Sequence, residues 1–212
     1  MVDAPPKDAP LTSPRSCYRL VAASEEQLPT CIELTSKALG IGYPLEYASR
    51  GTVLMFLDPG GVTCGGAMIV LKPPFRSLES IPAEAAGQTD EALDFTSLAE
   101  INGVWLSQQT RTTYLSYCFW RLLLKSILAT GRQQFLFTYA HGKGEMPAAY
   151  LLTKPRILFS GRTKRLPGMK APAEETIAVV DSKTLADLLA VLDHHCADDS
   201  LSSVSGFLSA GA

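Results

Sequence analysis

The chain lacks several features that would each have fixed a function class. None of its five cysteines (Cys17, Cys31, Cys64, Cys118 and Cys196) forms a C-x-x-C pair, and the number is odd. That argues against a disulfide framework and suits reduced thiols in a cytosol better. Basic residues are not in excess, with 19 Lys and Arg against 21 Asp and Glu. Binding to nucleic acid through bulk positive charge is therefore not expected. No apolar run approaches the roughly 20 residues of a membrane span. No internal repeat is evident. The first sixteen residues, MVDAPPKDAPLTSPRS, carry acids and four prolines where a secretory signal would need a basic stretch and an apolar run. The expected location is cytoplasmic.

What is present is the composition of a packed protein: 212 residues, 46% hydrophobic and 19% charged. The expected organisation is a flexible tail over 1–16, one domain over 17–196 and a second tail over 197–212, where ADDSLSSVSGFLSAGA is small and polar. Within the domain, YRLVAA has the pattern of a first strand. Ser24 followed by Gln27 forms a capping box that opens a helix through LPTCIELTSKAL. GTVLMFL and VTCGGAMIVLK are two strand-like runs around Asp58-Pro59-Gly60-Gly61, whose residue types suit a tight antiparallel reversal. Residues 72–97 then lose periodicity, which marks a functional or mobile loop.

LAEINGVWLS restores a strand, and a helix from Thr113 to Thr130 follows, ended by Gly131. Leu115, Phe119, Leu122, Leu123 and Ile127 fall near one face of it. QQFLFTYA is a buried strand, MPAAYLLTK a short helix, RILFSGRTKR and EETIAVVD two more strands, and SKTLADLLAVLDHHC an amphipathic helix capped by Ser182. The order is β-α-β-β-β-α-β-α-β-β with a trailing helix. It predicts an α/β (α+β) fold with a mixed, mostly antiparallel sheet of six or seven strands and the segment 100–107 at its centre.

This order resembles the GCN5-related N-acetyltransferase fold over roughly Tyr18 to Asp181. The most specific stretch is WLSQQTRTTYLS, where the fourth strand turns into a helix. In that superfamily the turn has the pattern Q/R-x-x-G-x-G/A, whose first residue falls here on Arg111 and whose glycines fall on Tyr114 and Ser116. Glycine lets backbone N–H groups come close to a pyrophosphate at the helix start. Thr112, Thr113, Tyr114 and Ser116 still offer N–H groups and add hydroxyls. The resemblance thus implies a donor site over Trp105, Leu106, Ser107, Arg111, Thr112, Thr113, Tyr114 and Ser116.

The resemblance also implies catalytic positions. Glu100 stands where many members keep the acid that deprotonates the amine, although a glutamate at a strand end facing solvent fits the same residue. Tyr150 in MPAAYLLTK matches the tyrosine that protonates the leaving thiolate, though the Gly-Phe that usually follows is missing and a core tyrosine fits as well. His141, just past the fifth strand, is the histidine beside the expected cleft and offers a second base near neutral pH. A loop histidine bonded to backbone is the plainer reading. Cys118, one turn into an apolar helix, is ordinary filler. No metal is expected, because His194 and His195 point about 100° apart on a helix and no second Cys/His cluster exists.

Lys154, Arg156, Arg162, Lys164, Arg165 and Lys170 place six positive charges within 17 residues of an acidic chain. Such a concentration attracts a phosphorylated or acidic partner. With the cradle glycines gone, it favours acyl-phosphopantetheine on an acyl carrier protein over acyl-CoA as co-substrate. The resemblance extends to acyl-homoserine-lactone synthases and N-acyl amino acid synthases, whose opening strand and helix look like YRLVAASEEQLPTCIELTSKALGIGYP. The implied activity is N-acyl transfer from a thioester donor to an amine of a small molecule or amino acid. A homodimer is compatible with it. The alternative is a catalytically degenerate binding or accessory protein of the same fold.

Overall fold

The computed structural model describes residues 18–86, 93–140 and 153–197. Its strands are β1 (Arg19–Ala22), β2 (Gly51–Leu57), β3 (Thr63–Val70), β4 (Leu98–Leu106), β5 (Gln134–Ala140), β6 (Arg156–Arg162) and β7 (Glu174–Asp181). They form one sheet in the order β1-β2-β3-β4-β5-β7-β6. All neighbours are antiparallel except β4 and β5. The sheet is thus mixed, mostly antiparallel and seven-stranded, with β4 in the middle as the sequence predicts.

The local signals that set these elements are visible in the hydrogen bonds. Ser24 N–H donates to Gln27 Oε1 at 2.9 Å, completing the capping box before α1 (Leu28–Leu39), which ends on Gly40 in the left-handed region. Between β2 and β3, Val62 N–H donates to the Asp58 carboxylate at 2.8 Å and Gly61 takes a φ of 84°. The reversal therefore uses Asp58 as its clasp and Gly61 as its left-handed residue.

The described part of 72–97 forms the short helices α3 (Arg76–Glu79) and α4 (Ala83–Ala86), α2 having already appeared at Leu45–Ala48. The long helix α5 (Thr113–Leu128) follows β4, and α6 (Ser182–Ala197) closes the described chain. At the start of α6 the expected cap is displaced by one residue. Asp181, not Ser182, accepts from Thr184 N–H at 2.7 Å, because a carboxylate is the stronger acceptor and sits one residue before the first helical turn. Of the expected MPAAYLLTK helix, Thr153 is helical, Lys154 has left the helix with a φ of 43°, and residues 146–152 lie outside the described residues.

Two cores cover the two faces of the sheet. On one face α1, α2 and α3 pack over Val53, Met68, Val70, Leu98, Leu136 and Ile177. On the other, α5 and α6 pack over Phe56, Ile69, Ala99, Phe135 and Val180. Phe119, Leu123 and Ile127 form the buried stripe of α5 at i, i+4 and i+8, each worth about 1.5–3 kcal/mol of burial. Leu115 and Leu122 are only partly covered. α5 and α6 are joined by Tyr117 Oη donating to the Leu192 carbonyl at 2.8 Å and by Asp193 pairing with Arg121 and Lys125. Among the described residues no helix is long and apolar enough to cross a membrane.

Candidate active site

The middle strand changes its facing halfway along. The β3–β4 register shifts between Gly66 and Met68, and Gly103 takes a φ of 59°. This bulge inserts one residue and reverses the alternation of side chains. Before it, Leu98, Glu100 and Asn102 face α1 and α2, while Ala99 and Ile101 face α5. After it, Val104 and Leu106 face the α5 core, and Trp105 turns to α1, where its Nε1 donates to Thr35 Oγ1 at 3.0 Å.

Pairing between β4 and β5 stops at Ile101 and Phe137, so the sheet opens beyond that point. Ser107 N–H is taken by the Cys64 carbonyl of β3 at 2.8 Å. Alternation along the strand therefore aims Leu106 N–H away from β3, toward the opening. Of the backbone N–H groups in the expected donor segment 105–107, that of Leu106 points toward the opening and that of Ser107 does not.

Glu100 is fully buried. Its Oε2 accepts from Tyr47 Oη at 2.8 Å and from Arg76 N–H at 2.9 Å, and its Oε1 accepts from Ser77 N–H at 2.7 Å and Asn102 Nδ2 at 3.3 Å. Ser77 Oγ donates to the same Oε1 and itself accepts from Thr138 Oγ1 at 2.7 Å. Burial pushes the Glu100 carboxyl above its ordinary value, opposed by the bonds from Ser77, Tyr47 and Arg76. Burial likewise raises the Tyr47 hydroxyl, and the nearby Glu100 charge adds to it. These donors clasp the carboxylate on both oxygens, and they hold the first turn of α3 against β4.

Beside this cluster lies a cavity of about 50 Å³, lined among others by Tyr43, Arg76, Asn102, Thr138 and Glu175. Tyr43 Oη donates to Asn102 Oδ1 at 3.0 Å, and the Arg76 guanidinium lies 5.4 Å from the centre of the Tyr43 ring. Burial raises the Tyr43 hydroxyl too, while Arg76 acts to lower it and Glu100 and Glu175 to raise it further. Arg76 Nη2 donates to the Pro167 carbonyl at 2.7 Å. The rim is closed by a backbone contact: Gly42 N–H donates to the Gly168 carbonyl at 2.9 Å, and a Cβ on Gly168 would lie 2.1 Å from the Gly42 oxygen.

The other expected group lies across the sheet, at the start of α5. Thr112 is the N-cap there, its Oγ1 accepting from Leu115 N–H at 3.4 Å, and Ser116 N–H is bonded to the Thr112 carbonyl. Thr113 is the first helical residue, and Tyr114 is exposed beside it. Arg111 Nε donates to the Leu106 carbonyl at 3.2 Å, and Ser107 Oγ and Thr110 Oγ1 are 2.9 Å apart. His141 and Tyr150 lie outside the described residues.

The structure thus separates the expected residues into two groups, Glu100 and Trp105 on the α1 face and the Arg111–Ser116 turn at the α5 face, with the β4–β5 opening between them. Tyr43, Tyr47, Arg76, Ser77, Asn102, Thr138 and Glu175 are site residues that sequence reasoning missed. Asn102 had a signal, standing two residues after Glu100 on the same face of a strand. Arg76 and Ser77 had none, since they come from the segment without periodicity. Among the described residues no group of three or more His, Cys, Asp or Glu side chains could hold a metal ion.

The chain matches no protein-family model, and no curated protein matches it. Solved structures do. FeeM, an N-acyl amino acid synthase from uncultured soil microbes, superimposes with a TM-score of 0.56 at 15% identity, covering 84% of this chain and 99% of FeeM. BjaI, a CoA-dependent acyl-homoserine lactone synthase, gives 0.58 at 16% identity over 84% of this chain and 90% of BjaI. A GCN5-related N-acetyltransferase from Brucella melitensis gives 0.57 at 10% identity over 88% of this chain and 86% of its own. With a bulged β4, a sheet that opens between parallel β4 and β5, and a helix started at that opening, the chain is a divergent example of the GCN5-related N-acetyltransferase fold.

Proposed function

We propose that the protein is an N-acyltransferase that moves an acyl group from a thioester donor, acyl-CoA or the acyl-phosphopantetheine of an acyl carrier protein, to an amine of a small molecule or amino acid. The observation that carries this reading is the end of β4–β5 pairing at Ile101 and Phe137, beyond which Asn102 and Thr138 line a polar cavity on the α1 face while β4 runs on to the α5 start. The similar structures include an N-acyl amino acid synthase, a CoA-dependent acyl-homoserine lactone synthase and an N-acetyltransferase, which supports acyl transfer here. A thioester carbonyl at the opening meets Leu106 N–H, which stabilises the oxyanion as the amine attacks. The C–N bond forms, the C–S bond breaks, and the thiolate leaves, taking a proton that the family resemblance assigns to Tyr150. The donor's phosphate lies near Arg111 and the positive end of α5.

The amine must lose a proton to react. Glu100 is a poor receiver, since both its oxygens already accept from donors that a transferred proton would displace. Its role is to position α3. Glu175, which lines the cavity from β7, is the better placed carboxylate, and His141 is the other group to test. The full chain incubated with acyl-CoA and acyl-carrier donors and a panel of amines should release thiol and form an amide of matching mass. Absence of both with every donor would overturn the reading. One observation favours the alternative of a non-catalytic binding protein: Thr112 caps the α5 start from within, where glycines would leave room for a pyrophosphate. Tight binding to an acyl carrier protein without turnover is the result expected of it.

A further inference from the structure

We propose that the acceptor carries a free carboxylate beside its amine, and that Arg76, braced on the Tyr43 ring, is the residue that binds it. The inference deepens the acyltransfer reading by naming the acceptor class, an amino acid, but it is measured by binding and not by turnover.

Arg76 is 7% exposed and lines the cavity. Among the described residues its guanidinium makes one hydrogen bond, to the Pro167 carbonyl, and it lies over Tyr43. Among the described residues no carboxylate pairs with it in an ion bridge. Glu100 is close by, yet it is bonded to the Arg76 main chain and not to its side chain. A buried cation is costly unless an anion meets it, so this arrangement is suited to a ligand that brings the anion.

The chemistry selects the ligand. A guanidinium presents a planar fork of donors that matches a carboxylate through two parallel bonds. Tyr43 is fixed by its bond to Asn102, and Arg76 is fixed at its backbone by Glu100 and at its tip by Pro167. The fork is therefore held before a ligand arrives, which lowers the ordering cost of binding. Glu175 and Thr138 on the same cavity supply polar surface for the amine end. At about 50 Å³, the space takes roughly three to five water-sized groups. That suits an amino-carboxylate head with its side chain directed outward. A polyamine could meet Glu175 but would bring no anion to Arg76.

Calorimetric titration of the full chain, with and without coenzyme A, tests this using each of the twenty common amino acids beside its decarboxylated amine and its carboxamide. At least one amino acid should bind, with its amine and amide at least tenfold weaker. Arg76→Gln should lower the acid to the level of the amine, and Arg76→Lys should restore part of the preference. If Arg76→Gln does not fold, the comparison of acid, amine and amide on the unaltered chain still decides. An amine that binds as tightly as its amino acid, a preference that survives in folded Arg76→Gln, or no binding by any amino acid would overturn the inference. Amide formation from simple amines alongside any of these results would leave the acyltransfer reading standing. Carboxylate-selective binding without turnover would do the reverse.

Discussion

The two sides of the β4–β5 opening are built in different ways. At the α5 start the hydrogen bonds are mostly local: Thr112 to Leu115, Arg111 to Leu106, Ser107 to Thr110. On the other face they span the chain. Glu100 is joined to Tyr47 and to Ser77, Asn102 to Tyr43, and Arg76 to Pro167. The local side is largely exposed, Thr110 excepted, whose buried hydroxyl also donates to the Cys64 carbonyl at 3.0 Å, whereas the long-range side is buried and shares its acceptors. A buried network fails as a unit, because removing one acceptor strands several donors without water to replace it. An exposed turn loses one bond at a time.

The sharpest break of this contrast is Glu100→Ala. It should cost about 3–5 kcal/mol, since the stranded donors lie in the interior, and urea denaturation monitored by circular dichroism would read it. Glu100→Gln separates shape from charge. Burial holds the Glu100 carboxyl above its ordinary value near 4.5, so the native state binds its proton more tightly than the unfolded chain does. Its contribution is therefore fully present below that value and declines as pH rises through the native one. The stability of wild type minus Glu100→Gln should fall with rising pH above about 4.5 and then level off. A difference that rises with pH instead would show that the donors outweigh burial.

The next largest effect belongs to the rim. Gly168 has a φ of 84°, and a Cβ there would meet the Gly42 carbonyl. Gly168→Ala should cost about 1–3 kcal/mol through strain and the displaced loop. If the rim shapes the cavity, the same variant should weaken amino-acid binding in calorimetry more than donor binding.

The same division explains what could be read from the sequence. The succession of elements along the chain, the capping box at Ser24 and the reversal at Asp58-Pro59-Gly60-Gly61 are each written in residues close together in sequence, and each was legible. The bulge at Gly103 was hidden, because LAEINGVWLS looks like an unbroken strand and a bulge is set by its partner's register. The α3 turn was hidden for a related reason. It has no periodicity of its own and is held by a carboxylate 24 residues further along the chain. Ser182 was a near miss, where Asp181 offered a stronger acceptor one position earlier.

Thr112→Ala probes the local side. Loss of the cap should cost about 1 kcal/mol, and its effect should add to that of Glu100→Gln, because the two share no partner. A double mutant measured by urea denaturation that departs from additivity by more than about 0.5 kcal/mol would mean that the two faces are coupled through β4.

Arg111→Ala has the smallest expected effect on stability and the most specific one on binding. Arg111 is exposed and among the described residues bonds the Leu106 carbonyl five residues away, so removing it should change stability by no more than about 0.5 kcal/mol. Its charge stands beside the N-terminus of α5, where it adds to the helix dipole and attracts an anion. An exposed charge acts through a field that salt screens, with a range of about 10 Å at 0.1 M ionic strength. Donor binding should therefore weaken several-fold at low salt in Arg111→Ala, and the gap from wild type should shrink as salt is raised. Titration of coenzyme A and of an acyl carrier protein at two salt concentrations would measure both. Equal binding by the variant at low salt would remove Arg111 and the α5 start from the donor site, while leaving the cavity on the opposite face untouched.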